Sequence, residues 1–262
     1  ILCGGDMVAG QKRALTRGDL QNMWAGFNQT VLAPIYQKKV PFGFTMGNHD
    51  ASPGFVLDRQ EASAFWLAHK EQVQLTFVAD SHYPYYFSYL KNNVFIMSWD
   101  ASSSTIPAEV KAWMAEQLQG ERALQARYRI VLGHLPLYAI VEAKNKAGEV
   151  LEAADETLDF LDKHQVDLYI SGHQHAYFPG KKQGVTLLNS GCLGGGPRAL
   201  IGHEHAPYKA YAVLEIPKKI KSRKPVAFYG IKAADHQYIP PASLPKEVSG
   251  FNGLLQRYDL VD

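Results

Sequence analysis

The sequence predicts a layered α/β fold, and three features carry that expectation. Short hydrophobic runs of strand character alternate with segments whose apolar residues recur every three or four positions. Four of those runs end in glycine and lead at once into a side chain able to hold a metal ion: Gly5-Asp6, Gly47-Asn48-His49-Asp50, Gly133-His134 and Gly172-His173-Gln174-His175. With 262 residues, 46% of them hydrophobic, the chain can also bury a substantial core.

The elements follow in order. Ile1-Leu2-Cys3 reads as the end of a strand entering Gly4-Gly5-Asp6. With no initiator methionine and no leader pattern, the chain is expected to begin inside a domain. Asp19 is a plausible N-cap for a helix in which Leu20, Met23, Trp24, Phe27, Val31 and Leu32 form one apolar face, with Pro34 near its end. A strand over 42–45 runs into the second glycine segment, and a helix over 58–71 turns Ala62, Phe65 and Trp66 inward. Residues 85–90 and 94–99 read as a hairpin joined by Lys91-Asn92-Asn93. Pro107 suits the first turn of a helix reaching about residue 118. A strand over 128–132 ends at the third glycine segment, and a helix over 153–164 leads to a strand over 166–170 that ends at the fourth. Further strands are expected over 185–188, 210–216 and 225–230. One catalytic domain over 1–232 and a C-terminal extension over 233–262 that packs back on it account for the whole length.

Charged residues make up 20% and the net charge is only +2, so the overall balance implies no nucleic-acid partner. No run approaches the roughly 18 apolar residues of a membrane helix. Cys3 and Cys192 are too few for a disulfide framework; they read as two thiols, with a single bridge as the alternative. The basic run Lys218 to Lys224 reads as a solvated hairpin turn.

Each glycine segment is weak by itself, since Gly-Asp is commonly a turn and Asn48-His49-Asp50 could bond its own backbone. His173 and His175 say more, because residues i and i+2 of an extended segment face the same way. All four together place Asp, Asn and His side chains outside the carboxyl ends of strands, where layered α/β folds gather their ligands. Imidazole suits Zn, Fe, Mn or Ni, and carboxylate or amide oxygen favours harder ions. An aspartate can bridge two cations about 3.5–4 Å apart, a spacing that clamps the attacking and leaving oxygens of an in-line displacement.

This order of motifs resembles the calcineurin-like metallophosphoesterase family. Gly133-His134-Leu135-Pro136-Leu137-Tyr138 and Gly172-His173-Gln174-His175-Ala176-Tyr177 further resemble its acid-phosphatase branch. The resemblance implies a β-sandwich flanked by helices in four layers, αββα, and hydrolysis of phosphate monoesters by a hydroxide held between two metal ions (Fe, Mn or Zn). A phosphodiesterase on the same centre and a non-catalytic phosphate- or partner-binding module are the alternatives. It implies further that Asp6 bridges the metals, that Asn48, His134 and His173 complete the shell of one, and that His175 binds the other. His49 would contact the phosphate or protonate the leaving group, with Asp50 orienting it. The implied partner is a small phosphate ester, and the branch leans toward an extracytoplasmic location. Oligomeric state is not implied.

Two positions depart from the pattern. The family's opening Asp-x-His block would lie upstream of Ile1, and Ala9 stands where purple acid phosphatases carry a tyrosine ligand. Among the remaining residues, Arg198 is read as a loop stabiliser or a bidentate phosphate contact. Tyr177 and Tyr138 are read as pocket walls or ordinary packing. His203-Glu204-His205 is read as a surface loop, and no role is assigned to His69, His82, His164 or His236.

Overall fold

A computed structural model describes residues 1–203, 206–219 and 226–261. Strands β1 (Leu2–Cys3) and β2 (Gly43–Phe44) pair in parallel as a small sheet. Helix α1 (Arg17–Phe27), a π-helical turn (Asn28–Leu32) and α2 (Ala33–Gln37) connect them. Beyond β2 come α3 (Asn48–Ala51) and α4 (Val56–Ala68). The next run is β3 (Thr76–His82), β4 (Tyr86–Lys91), β5 (Val94–Ser98), α5 (Ala108–Gln119), α6 (Glu121–Leu124) and β6 (Tyr128–Leu132). It continues through α7 (Ala154–Lys163), β7 (Leu168–Ser171), β8 (Tyr177–Lys182) and β9 (Val185–Ser190). Strands β10 (Ala210–Glu215), β11 (Ala227–Lys232) and β12 (Tyr238–Ile239) form an antiparallel sheet of three. The last two strands are β13 (Glu247–Gly250) and β14 (Gly253–Arg257).

Nine of these strands make one mixed sheet in the order β13-β14-β8-β9-β7-β6-β5-β4-β3, so the predicted α/β class is the observed one. Its centre, β5-β6-β7-β9, is parallel. Strands covered on both faces read as unbroken apolar runs, and β5, β6 and β7 are buried at every position. The small sheet lies across the large one: Phe44 of β2 packs on Phe87 of β4, ring centres 5.2 Å apart, and Thr45 Oγ1 donates to the Trp99 carbonyl at 2.8 Å. On its other side Phe44 stacks on Trp66 of α4 at 3.7 Å, inside an aromatic cluster with Trp24, Phe27, Phe42 and Phe65.

Several boundaries differ from expectation for physical reasons. Helix α1 starts earlier because Thr16, not Asp19, is its cap. Thr16 Oγ1 accepts the Asp19 amide at 3.2 Å and Asp19 Oδ2 accepts the Thr16 amide at 2.8 Å, a reciprocal capping box. Helical structure runs past Pro34 because that residue sits at the start of α2, behind the π-helical turn, where its missing N–H breaks no α-helical ladder. The hairpin turn is only Asn92-Asn93, both at positive φ, which matches the twist of the flanking strands. Strand β3, an exposed edge, and strand β8, which runs straight through Pro179-Gly180, lie outside the strands expected from the sequence.

Within residues 233–262, β12 joins the three-stranded sheet and the β13–β14 hairpin pairs with β8 through Gln256↔Lys181 and Arg257↔Gly180. Residues 220–224 of the basic run, the expected strand start at Pro225, and Glu204-His205 lie outside the described residues. Cys3 and Cys192 are free thiols. Among the described residues no helix is long and apolar enough to cross a membrane.

Candidate metal centre

Parallel pairing of β1 with β2 and of β6 with β7 sends all four glycine segments out on the same side of their sheets. Glycine is needed where the segments meet. Gly5 has φ +89°, and a Cβ there would lie 2.7 Å from Gly47 N and from His134 Nδ1. A Cβ on Gly47 would overlap Asp6 N and Oδ1. A Cβ on Gly4 would lie 3.3 Å from Gly172 N, so the backbones leaving the two sheets touch, and Asp6, Asn48, His134 and His173 project into one small volume.

Within it His134 Nε2 lies 3.2 Å from Asp6 Oδ2, 3.0 Å from Asn48 Oδ1 and 3.2 Å from His173 Nδ1. Donors bound at roughly 2.0–2.2 Å to one ion in tetrahedral array stand about 3.3–3.6 Å apart, so this spacing fits a common ligand shell. The far side of each donor group is also occupied. His134 Nδ1 donates to the Gly4 carbonyl at 2.5 Å, which leaves the Nε2 lone pair facing inward. His173 Nε2 donates to Glu149 Oε2 at 2.7 Å, freeing Nδ1. Asn48 Nδ2 donates to Gln11 Oε1 at 2.6 Å, so its oxygen must point in. Such outer hydrogen bonds fix the tautomer and orientation of metal ligands. His134 and His173 are buried, as a dry site requires.

The charges follow from the packing. Burial disfavours ionised Asp6, but the His134 imidazole and the His49 amide outweigh it and hold the carboxyl well below the usual range. Burial likewise opposes a charge on His134, and Asp6 outweighs it, raising the imidazole. For His173 burial wins and lowers the pKa to about 4 against the bond to Glu149.

Not every expected residue falls into this cluster. His175 is half-buried, its Nδ1 bonded to the Gly196 carbonyl at 2.9 Å, and it is not one of the gathered donors, Asp6, His134 and His173. His49 stands at the rim, its amide donating to Asp6 Oδ1 at 2.9 Å and its Nδ1 lying 3.0 Å from the Gly10 carbonyl. The expected orienting contact from Asp50 to His49 is not made. Both Asp50 oxygens are filled by backbone N–H groups: Asp6 at 2.7 Å and Gly47 at 2.9 Å on Oδ2, Met7 at 2.7 Å and Val8 at 3.1 Å on Oδ1. Asp50 thus fastens the Asp6 loop, and burial together with the Asp6 charge pushes its pKa up to about 7. Arg198 donates to the His173 carbonyl at 3.3 Å. Tyr138 turns away and donates to Asp155 at 2.7 Å, and Tyr177 is buried on β8 beneath Gly230 of β11. Ala9 is exposed and offers no donor.

Two groups at the centre were missed in the sequence. Glu149 holds His173 as described, and Lys144 Nζ lies 3.2 Å from Glu149 and 3.0–3.2 Å from the His173 ring nitrogens. Neither follows a strand-end glycine. Their signal is in Gln174, whose Oε1 accepts the Ile140 and Val141 amides at 3.1 Å and whose Nε2 donates to the Glu149 carbonyl at 3.2 Å.

Residues 1–177 match the sequence model of the family Metallophos, calcineurin-like phosphoesterase. The chain belongs to that family. Two curated plant relatives are each 26% identical over 178 residues, or 68% of this chain: a phosphoenolpyruvate phosphatase of Allium cepa and the Fe(3+)-Zn(2+) purple acid phosphatase 12 of Arabidopsis thaliana. The chain spans about a third of the length of these relatives, 35% and 36%. Among solved structures, the purple acid phosphatase PPD1 of Lupinus luteus superposes with a TM-score of 0.66 at 15% identity, covering 91% of this chain and 44% of that one. GAP50 of Plasmodium, described as the anchor in the inner membrane complex, superposes with a TM-score of 0.58 at 15% identity, covering 90% of this chain and 75% of that one. At such identity both structures speak for the calcineurin-like fold, a large mixed sheet flanked by helices, and for nothing finer.

Proposed function

We propose that this chain hydrolyses phosphate monoesters at a centre of two metal ions. The observation that supports this reading best is the convergence of Asp6 Oδ2, Asn48 Oδ1, His134 Nε2 and His173 Nδ1, three of them on groups whose far side is tied to another residue. When bound, Fe, Mn or Zn ions would supply Lewis-acid charge to the phosphoryl oxygens and a more acidic water as the nucleophile. Asp6 would be shared between the two ions, and His175 would serve the second.

The remaining residues act on the ester. His49, turned by the Gly10 carbonyl, presents Nε2 at the rim, where it would bind a phosphate oxygen or give a proton to the leaving alkoxide. Lys144, paired with Glu149 and with its pKa lowered by burial, stands beside His173 where its ammonium would attract a dianionic phosphoryl group. Asp50 takes no part in proton transfer and holds Asp6 in place.

The test is turnover of p-nitrophenyl phosphate by the protein loaded with Mn, Zn or Fe, beside a His173→Ala variant. Turnover that needs added metal and vanishes in the variant supports the proposal; a metal-loaded protein that binds ions without turnover sinks it. A second reading, a non-catalytic binding module, rests on the separation of His175 from the gathered donors. The same assay decides between the two, and a bis(p-nitrophenyl) phosphate arm separates diesterase from monoesterase activity. Small esters as substrates, in keeping with the name phosphoenolpyruvate phosphatase, and the extracytoplasmic location that the resemblance to the acid-phosphatase branch implies belong to this proposal as well.

A further inference from the structure

Beside the metal centre lies a cavity of about 330 Å³ whose walls include Tyr177, Arg198, His203, Tyr208, Lys232 and Pro240. Its volume is in the lower range of small-molecule sites, roughly 300–1,000 Å³. Three of these side chains are basic, and none of the described lining residues is a carboxylate. Lys232 Nζ sits 5.3 Å from the centre of the Tyr208 ring, and among the described residues neither Lys232 nor Arg198 enters an ion pair. Two cations facing one space without a counter-charge make it a place for an anion.

Arg198 connects this space to the metal centre. Its amide donates to the His175 carbonyl at 3.1 Å and its guanidinium to the His173 carbonyl, so it braces the loop that carries both histidines. Arg198 therefore lines the cavity while it contacts the loop of the candidate metal centre. Among the described residues the guanidinium makes a single weak hydrogen bond, which leaves most of its five N–H donors for a ligand. Ala176 and Tyr177, immediately after His175, form the near wall, so the cavity begins where the metal loop ends.

We propose that the cavity receives a second anionic group, carboxylate or phosphate, carried on the alcohol part of the phosphate ester. Preferred substrates then bear two separated negative groups, one at the metals and one between Arg198 and Lys232. This rests on the hydrolytic reading above for its substrate, but not for the anion site itself.

Lys232 is the residue to change, because it touches neither the metal donors nor their loop. In the first arm, ligand-observed NMR on metal-free protein compares benzoate, phenyl phosphate and benzyl alcohol. Benzoate or phenyl phosphate should bind at least tenfold more tightly than the alcohol; Lys232→Met should remove that advantage and Lys232→Arg should keep it. Whichever anion gains more identifies the second group as carboxylate or phosphate. In the second arm, the metal-loaded protein is given phenyl phosphate and 4-carboxyphenyl phosphate. The carboxylated ester should show at least a tenfold higher kcat/KM, lost in Lys232→Met and kept in Lys232→Arg, while phenyl phosphate changes less than twofold. Equal binding of anion and alcohol, or a Lys232→Met variant indistinguishable from the parent in the first arm, overturns the inference. Lys232-dependent anion binding with no turnover of either ester overturns the hydrolytic reading and leaves the anion site standing.

Discussion

His173 is the residue on which the metal centre's geometry turns, and its hydrogen bonds make it testable without any metal. In metal-free protein, burial lowers its pKa to about 4, while its bond to Glu149 lowers that carboxyl to about 2, helped by Lys144 and opposed by burial. Both folded-state values lie below those of the unfolded chain, about 6.5 and 4.5. The unfolded chain therefore binds more protons. The His173 contribution to stability is present above about pH 6.5 and lost as the pH falls toward 4, and the Glu149 contribution goes between about 4.5 and 2. A histidine NMR titration in EDTA should find His173 neutral through pH 6 and the melting temperature falling below it; a His173 midpoint above 6.5 refutes this. Glu149→Gln should weaken metal binding roughly 10- to 100-fold, as loss of a ligand's outer partner does, measured by competition with a chelating dye. At Ala9 the expectation is spectroscopic. With no oxygen three residues past Asp6, and Tyr138 and Tyr177 directed elsewhere, iron-loaded protein should lack an intense visible tyrosinate band.

The elements differ in how plainly the sequence announces them, and the metal centre inherits the difference. Strands β1, β2, β6 and β7 are apolar runs closed by glycine, so the pattern alone points to the four side chains that the structure gathers. Glu149 and Lys144 come from a loop whose path is set by tertiary hydrogen bonds rather than by periodicity. Leu151 bonds the Pro136 carbonyl at 2.9 Å, and the buried Gln174 amide ties residues 140, 141 and 149 together. Gln174 is only the spacer of its motif in sequence, yet it folds the loop over the site. Gln174→Ala leaves buried amides without an acceptor, each worth about 1–3 kcal/mol, and should lower both stability and metal affinity; a denaturant midpoint within error of the parent refutes the role. The β13–β14 hairpin depends in the same way on Arg257, which donates to the Pro241 carbonyl at 2.6 Å and the Leu244 carbonyl at 2.9 Å. Arg257→Met should cost roughly 3–6 kcal/mol, for two lost bonds to a charged group, read from urea unfolding.

Across the whole molecule, two sheets meet back to back at glycines and deliver donors from both. Asp6 and Asn48 come from the small sheet, His134 and His173 from the large one, so the ligand set exists only when the sheets are docked. That interface is aromatic, with Phe44 pressed between Trp66 and Phe87, and metal binding is accordingly coupled to it. Trp66→Ala should cost about 3–5 kcal/mol and be partly recovered by added metal, which binds the folded state alone. If two ions bind as proposed, their positions should differ in strength. One would be served by His134 Nε2 and the three donors within 3.0–3.2 Å of it, whereas the other would have His175, still tied to the Gly196 carbonyl, and whatever Asp6 shares. Three protein ligands are typical of a catalytic zinc ion and fewer bind weakly. After metal loading and exhaustive dialysis of the chain described here, elemental analysis should find one ion per chain, with a second retained only in excess metal. His134→Ala should release the retained ion and His175→Ala should not. Two ions surviving dialysis, or loss of the first in His175→Ala, would show that His175 swings into the shell and that the centre is completed by metal rather than preformed.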